Sequence, residues 1–359
     1  MRLQAQAEQD LEAIVALAWE RTLPPGISTA ERSFEDAGGD SALLMQFFFF
    51  LEELCGRNLP MEGFELAMTP ADFVAYLAAS LDAPQSPPPP SAPLFLMPGR
   101  GADEPRLARF RQACEAAITM RTLAYPDWQR MVEPGFTIDV LAEELAGVIA
   151  SESGEGAVKL AGYSYGGHVA LATARHLVAR GRAVGLVAIL DANALQLDNF
   201  ETAPVRRAPL GQRLARILRS AMGADGGEYC ARVLSDTLAQ AHWAPVLRAL
   251  RGVPFAWAPR SFRYHLIAHL RMALRVRLLR QWHAGPSAAA ARIDAPVFLF
   301  RSDETRAHAS EDLGWRGFCA NLAVVPIPGS HLGIFDDANV AVLVERFLAV
   351  VTPPRGGAG

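Results

Sequence analysis

Cysteine is scarce in this chain: four residues among 359, at Cys55, Cys114, Cys230 and Cys319. Such scattered positions do not make a close-spaced zinc pattern, and four are too few for a disulfide-stapled scaffold. They read as reduced, mostly buried thiols, and no metal site is expected. Long apolar runs are missing too, since none approaches the ~18 to 20 residues that cross a bilayer. The first 20 residues carry acids at Glu8, Asp10 and Glu12 and lack the basic start of a secretory signal. A cytoplasmic protein without membrane or nucleic-acid partners is therefore the expectation.

Size and hydrophobic content are sufficient for more than one core. At roughly 150 residues per domain the chain has room for two, and its 51% hydrophobic fraction can fill them. The formal net charge is only -4, but it is unevenly distributed. Residues 1–82 hold 14 acidic side chains against four arginines, whereas residues 195–293 hold 15 arginines against five acids.

Helical periodicity runs over residues 6–22, with Leu11, Ile14, Val15, Leu17 and Ala18 on one face. A loop at 24–35 leads to Gly38-Gly39, where missing side chains permit a close approach, and Asp40 is placed to cap a helix from Ser41 to Cys55. A short turn at 61–66 and a helix from Pro70 to Leu81 complete a small all-helical unit. The Phe47 to Phe50 quartet covers more than one helix face, so most of it is expected to pack and at least one ring to lie near the surface. Residues 83–92, with four consecutive prolines, read as a semi-rigid linker.

Beyond the linker the pattern changes. Short apolar runs at 94–97, 119–124, 158–162, 186–190, 297–300 and 323–327 alternate with amphipathic stretches such as 138–149, 166–179 and 340–351. Alternation of this kind predicts an α/β domain over 93–355, with a parallel sheet covered on both faces. The arginine-rich interval of about 195–293 contains no obvious strand and is too long for a simple crossover, so a helical lid insertion is expected there.

Within this domain, Gly162-Tyr163-Ser164-Tyr165-Gly166 follows an apolar strand and opens a helix. In that context the glycines allow a sharp turn that presents a serine nucleophile. A serine hydroxyl needs a base, and the base needs an orienting carboxylate. His331, in Gly329-Ser330-His331 past the last strand, has the position of a base, and imidazole is the side chain suited to proton transfer near neutral pH. Asp191 and Asp303 both follow strands and compete for the acid role, because the chain order Ser, acid, His admits either. Backbone N–H of Tyr165, directly after the nucleophile, is a candidate oxyanion donor. The second candidate is Arg100 in the Pro98-Gly99-Arg100-Gly101 turn, which also reads as an ordinary glycine turn. The remaining histidines, His168, His242, His265, His269, His283 and His308, are assigned packing or surface roles.

These residues resemble a known pair of domains. Residues 93–350 are similar to type I thioesterase domains that end nonribosomal peptide and polyketide synthetases, through Met97-Pro98-Gly99, Gly162 to Gly167, Asp191, Trp315 and Gly329-Ser330-His331. Residues 1–82 resemble a peptidyl or acyl carrier domain, through Phe34, Gly38-Gly39-Asp40-Ser41, Leu59-Pro60 and Thr69-Pro70. Ala42 departs from the leucine usual there. The resemblance implies a small four-helix carrier domain followed by an α/β-hydrolase domain with a helical lid. It implies covalent 4'-phosphopantetheine on Ser41, and Asp191 in preference to Asp303 as acid. Implied partners are an acyl or peptidyl thioester, upstream adenylation and condensation or ketosynthase enzymes, and a phosphopantetheinyl transferase. The implied function is release of the chain by hydrolysis or cyclisation in secondary-metabolite biosynthesis. A proofreading hydrolase that clears misloaded carriers, or a carrier scaffold with an inactive hydrolase half, are the alternatives. A basic lid and an acidic carrier would be complementary, although solvated arginines on amphipathic helices read the same way.

Overall fold

The computed structural model describes residues 2–23, 32–39, 41–55, 59–60, 63–82, 93–101, 105–194, 226–250, 260–285, 292–308 and 310–352. The chain divides into two compact units, Met1–Pro90 with Asp103–Pro105, and Ser91–Ala102 with Arg106–Gly359.

The first unit contains α1 (Arg2–Thr22), α2 (Ser41–Cys55) and α3 (Pro70–Asp82). Its core is aromatic: Trp19 meets Phe34 edge to face at 5.3 Å, and Phe47 meets Phe73 at 4.7 Å. Of the phenylalanine quartet, Phe47 and Phe48 are buried and Phe50 is half-buried. Gly38 has φ of 88°, and a side-chain carbon on Gly39 would collide with the ring of Phe34, so this pair lets the chain cross Phe34 into α2. At α3, Thr69 and Asp72 cap reciprocally: the Thr69 N–H donates to Asp72 Oδ2 at 2.8 Å and the Asp72 N–H to Thr69 Oγ1 at 3.3 Å. Such a box satisfies two N–H groups that the first turn leaves open. Three helices are described in this unit, and 63–69 is turn, in agreement with the turn expected at 61–66. Asp40 and the linker 83–92 lie outside the described residues.

The second unit is built on six parallel strands in the order β2-β1-β3-β4-β5-β6. They are β1 (Leu94–Met97), β2 (Met120–Thr122), β3 (Val158–Tyr163), β4 (Val184–Leu190), β5 (Ile293–Ser302) and β6 (Cys319–Ile327). Between them run α4 (Pro105–Cys114), α5 (Trp128–Met131), α6 (Ile138–Glu152) and α7 (Tyr165–Ala179). After β4 come α8 (Gly226–Leu238), α9 (Ala244–Leu250) and α10 (Arg260–Ala284), then α11 (Asp303–His308) after β5 and α12 (Asp337–Val351) after β6. Every apolar run read as a strand is one. β5 begins four residues earlier than expected, through an irregular register between Ile293 and Pro296.

Strand residues alternate between two cores, as the two-residue side-chain period requires. Phe95, Met97, Leu160, Val187, Ile189 and Leu299 join the cluster with α6, α7 and α10. Leu94, Leu96, Ala161, Ala188, Leu190 and Phe300 join the other, with α4 and α12. The described part of the interval between β4 and β5 is helical, in agreement with an insertion. Strand order reverses at β1, whose neighbours are β2 and β3, and the crevice at such a switch point is where open α/β sheets place ligands.

One contact fixes that crevice. A side-chain carbon on Gly166 would strike the carbonyl oxygens of Met97 and Pro98, and one on Gly162 would strike the backbone of Gly166. The first turn of α7 therefore lies directly on the ends of β3 and β1. Gly166→Ala is expected to destabilise the domain by about 1 to 3 kcal/mol, as overpacking against an unyielding backbone does. Thermal melting would show it, and an unchanged Tm would contradict the close packing.

Candidate active site

Ser164 ends β3 and precedes α7 with φ of 53° and ψ of -117°, and it is buried. This conformation is costly for a residue with a side chain, at about 1 to 3 kcal/mol, and persists because its surroundings fix it. The Ser164 N–H donates to Leu190 O at 3.0 Å, and the Gly167 N–H donates to Ser164 O at 3.0 Å. Held on both sides, the side chain sits at the carboxyl end of the sheet, where Ser164 Oγ lies 3.1 Å from His331 Nε2.

Asp191 occupies the matching place after β4. Its φ is 47°, and its own N–H donates to Phe300 O at 2.7 Å, tying the end of β4 to β5. The carboxylate is buried. Oδ1 accepts from the Ser302 N–H at 2.7 Å and from the Thr305 hydroxyl at 2.9 Å, leaving Oδ2 for His331 Nδ1 at 2.8 Å. Burial alone would push this carboxyl up, but the hydrogen bonds with His331 and Ser302 outweigh it, and the pKa lies below the ordinary carboxylate value. Asp191 is therefore ionised at neutral pH and suited to hold an imidazole by Nδ1–H.

His331 is fixed by its backbone as well. Its N–H donates to Glu304 Oε2 at 2.8 Å, and its carbonyl accepts from the Tyr163 hydroxyl at 2.9 Å. The imidazole stacks on the Tyr163 ring with centroids 5.2 Å apart. With Nδ1–H directed at a carboxylate, Nε2 is left to accept a proton from Ser164 Oγ. The assembled geometry can raise the nucleophilicity of a serine and carry a proton through one turnover.

The structure thus brings Ser164, His331 and Asp191 into one hydrogen-bonded chain. Asp303, the competing acid, is exposed at the first position of α11. The turn carrying Arg100 lies at the end of β1 against which Gly166 packs, so both candidate oxyanion peptides are near the elbow. Ser41 opens α2 in the first unit. Among the other histidines, His168 is buried against Trp282, His283 and Trp315, and burial lowers its pKa to about 3, so it is neutral. Burial likewise pushes the Cys319 thiol up to about 11, away from reactivity. Sequence reasoning missed Ser302, Thr305, Glu304 and Tyr163 as supports of the acid and the imidazole. Only the Ser-Asp-Glu-Thr run after β5 hinted at a helix start there.

A thioesterase-domain family model matches residues 92–251. That match spans the turn bearing Ser164 and the end of β4 bearing Asp191. Among solved structures, holo-AB3403, a four-domain nonribosomal peptide synthetase bound to AMP and glycine, is 18% identical with a TM-score of 0.51. It is matched over 96% of this chain and 26% of its own, so this chain spans about a quarter of that synthetase. The NocB thioesterase domain in covalent complex with a fluorophosphonate nocardicin G analogue is 16% identical, over 73% of this chain and 95% of that one, with a TM-score of 0.48. YbtT, a type II thioesterase from the yersiniabactin pathway, is 19% identical over 73% and 94%, with a TM-score of 0.46. No curated protein matches the sequence. Among the described residues, no helix is long and apolar enough to cross a membrane.

The low pKa of Asp191 has a stability consequence. Ionised Asp191 contributes stability that is fully present above the unfolded-chain value of about 3.9 and is lost as pH falls toward the lower folded value. In urea melts from pH 6 down to pH 3, the stability advantage of the wild type over Asp191→Asn should be level above about pH 5 and shrink below about pH 4. A gap that widens on acidification would contradict the assignment.

Proposed function

We propose that this chain terminates synthesis by moving an acyl or peptidyl group from a carrier arm on Ser41 to Ser164 and then releasing it. The observation that carries the catalytic half is the chain Ser164 Oγ to His331 Nε2 at 3.1 Å and His331 Nδ1 to Asp191 Oδ2 at 2.8 Å. In this reading His331 takes the proton of Ser164 as its oxygen attacks a thioester carbonyl. Asp191 fixes the imidazole tautomer and balances the imidazolium that forms. Backbone N–H groups of Tyr165 and Arg100 receive the developing oxyanion. Collapse expels a thiol that takes the proton from His331 and leaves an ester on Ser164. Water, or a nucleophile within the acyl chain, then attacks that ester with His331 again as base, and hydrolysis or cyclisation frees Ser164.

The residues around Ser41 fit a phosphopantetheine attachment. A hydroxyl-bearing residue begins a 15-residue helix, α2, whose open N–H groups suit a phosphodiester, and the Gly38-Gly39 crossing leads the chain to that point. When attached, the group supplies a long arm ending in the thiol that carries the acyl chain. The likeness to a nonribosomal peptide synthetase over 96% of this chain supports joining the two functions. Upstream synthetase enzymes would load the arm, and a phosphopantetheinyl transferase would install it. A cytoplasmic setting accords with four free cysteines.

Ser164→Ala should abolish release of a loaded thioester while leaving loading on Ser41 intact. Asp191→Asn should lower kcat by about 10^4-fold, as a wrong imidazole tautomer does, and Asp303→Asn should stay within a few-fold of wild type. Both are read by product release under mass spectrometry. Equal losses for the two aspartate variants would overturn the acid assignment. A preference for short, non-cognate acyl groups would favour clearance of misloaded carriers over chain termination.

A further inference from the structure

The interval between β4 and β5 touches the turn that follows β1. From its long helix α10, Arg275 reaches the turn after β1 and donates through a guanidinium N–H to the carbonyl of Arg100. This arginine is buried, with 3% of its surface exposed, and its guanidinium lies 5.1 Å from the centroid of the Tyr125 ring. The Tyr125 hydroxyl in turn donates to Pro98 O at 2.7 Å, and its ring meets Tyr165 edge to face at 5.6 Å.

Peptide geometry gives these contacts their meaning. The Pro98 carbonyl shares a rigid plane with the Gly99 N–H, and the Arg100 carbonyl shares one with the Gly101 N–H. Between those planes lies the Gly99–Arg100 peptide, which bears the Arg100 N–H. Tyr125 therefore holds the plane before that donor and Arg275 the plane after it. Two glycines in four residues would otherwise leave the turn free to rotate. Tyr165, which the Tyr125 ring touches, carries the other donor.

We propose that Arg275, with Tyr125, is a positioning residue that sets the oxyanion donor of the turn after β1, so that the inserted helix α10 takes part in assembling the catalytic site. The inference rests on the serine mechanism proposed above. Arg275 acts through the Arg100 peptide and does not touch the reacting atoms. Because the donor matters chiefly when negative charge develops on the carbonyl oxygen, loss of its alignment should appear in kcat and leave KM nearly unchanged.

The test uses the full chain with Arg275→Met, Arg275→Lys, Tyr125→Phe and the Arg275→Met/Tyr125→Phe double variant. The probe is the acyl-N-acetylcysteamine thioester that the wild type hydrolyses fastest. Loss of a whole oxyanion donor costs about 10^2 to 10^3 in kcat, so misalignment by Arg275→Met should cost about 10- to 100-fold, and Tyr125→Phe about 10-fold. Arg275→Lys should recover part of the loss, and the double variant should fall short of the product of the single losses. Affinity for a boronic acid that forms a tetrahedral adduct on Ser164 should weaken in step with kcat/KM. Circular dichroism melts distinguish misfolding, and Tyr125→Phe, which keeps the ring, guards against it. Wild-type kcat in folded Arg275→Met, or a rise in KM alone, would overturn the proposal. Ser164→Ala separates the two readings: residual turnover there sinks the serine mechanism and this inference together, whereas a dead Ser164→Ala with an unaffected Arg275→Met sinks only this inference.

Discussion

The site depends on the absence of side chains at Gly162 and Gly166. Because Gly166 rests on the carbonyls of Met97 and Pro98, and Gly162 beneath Gly166, the turn from β3 into α7 is pressed against the end of β1. Three things follow from that one close approach. Ser164 is forced to a φ of 53° and stands out at the strand end. The N–H of Tyr165 and the turn bearing Arg100 become neighbours. The carboxyl ends of β1, β3 and β4 then surround a single point, which is the switch point of the sheet.

Strain at the elbow is offset by bonds that continue the sheet beyond its regular ladder. The N–H of Ser164 reaches Leu190, and the N–H of Asp191 reaches Phe300, so these two residues with positive φ each tie a strand end to the next strand. The acid is then over-determined: Ser302 and Thr305 take one carboxylate oxygen and His331 the other. Tyr163 does two tasks from the preceding residue of the elbow, stacking under the imidazole and bonding the His331 carbonyl. Arg275 and Tyr125 bond the carbonyls of Arg100 and Pro98 in the turn after β1. The general pattern is one of backbone groups fixed before any substrate arrives, which is what makes fixed dipoles effective in a transition state.

Much of this was legible in the sequence, for identifiable reasons. The central strands β1, β3 and β4 are buried nearly throughout and read as continuous apolar runs, the runs of β2, β5 and β6 stood out beside them, and the nucleophile motif lay between one strand and a helix. Asp191 and Asp303 could not be separated by chain order, since both follow strands. Burial separates them: Asp191 turns into the sheet end with positive φ, while Asp303 starts α11 on the surface. Ser302, Thr305, Tyr125 and Arg275 were not legible, because their partners lie 27 to 175 positions away and no local period encodes such contacts. Residues 63–69 of the first unit are turn, in agreement with the turn expected at 61–66, and Phe64 packs against Phe48 and Phe73 from there. Burial alone can satisfy such a segment without helical bonds.

The central claim is that one acyl group visits two serines of the same chain. Loading the chain with a phosphopantetheinyl transferase and an isotope-labelled acyl-coenzyme A, quenching in acid at short times and mapping the label by peptide mass spectrometry tests it directly. The label should appear first on the arm at Ser41 and then as an ester on the peptide containing Ser164, before free product accumulates. Label that passes from Ser41 to product with Ser164 never acylated, or a Ser41 that accepts no arm, would contradict the account.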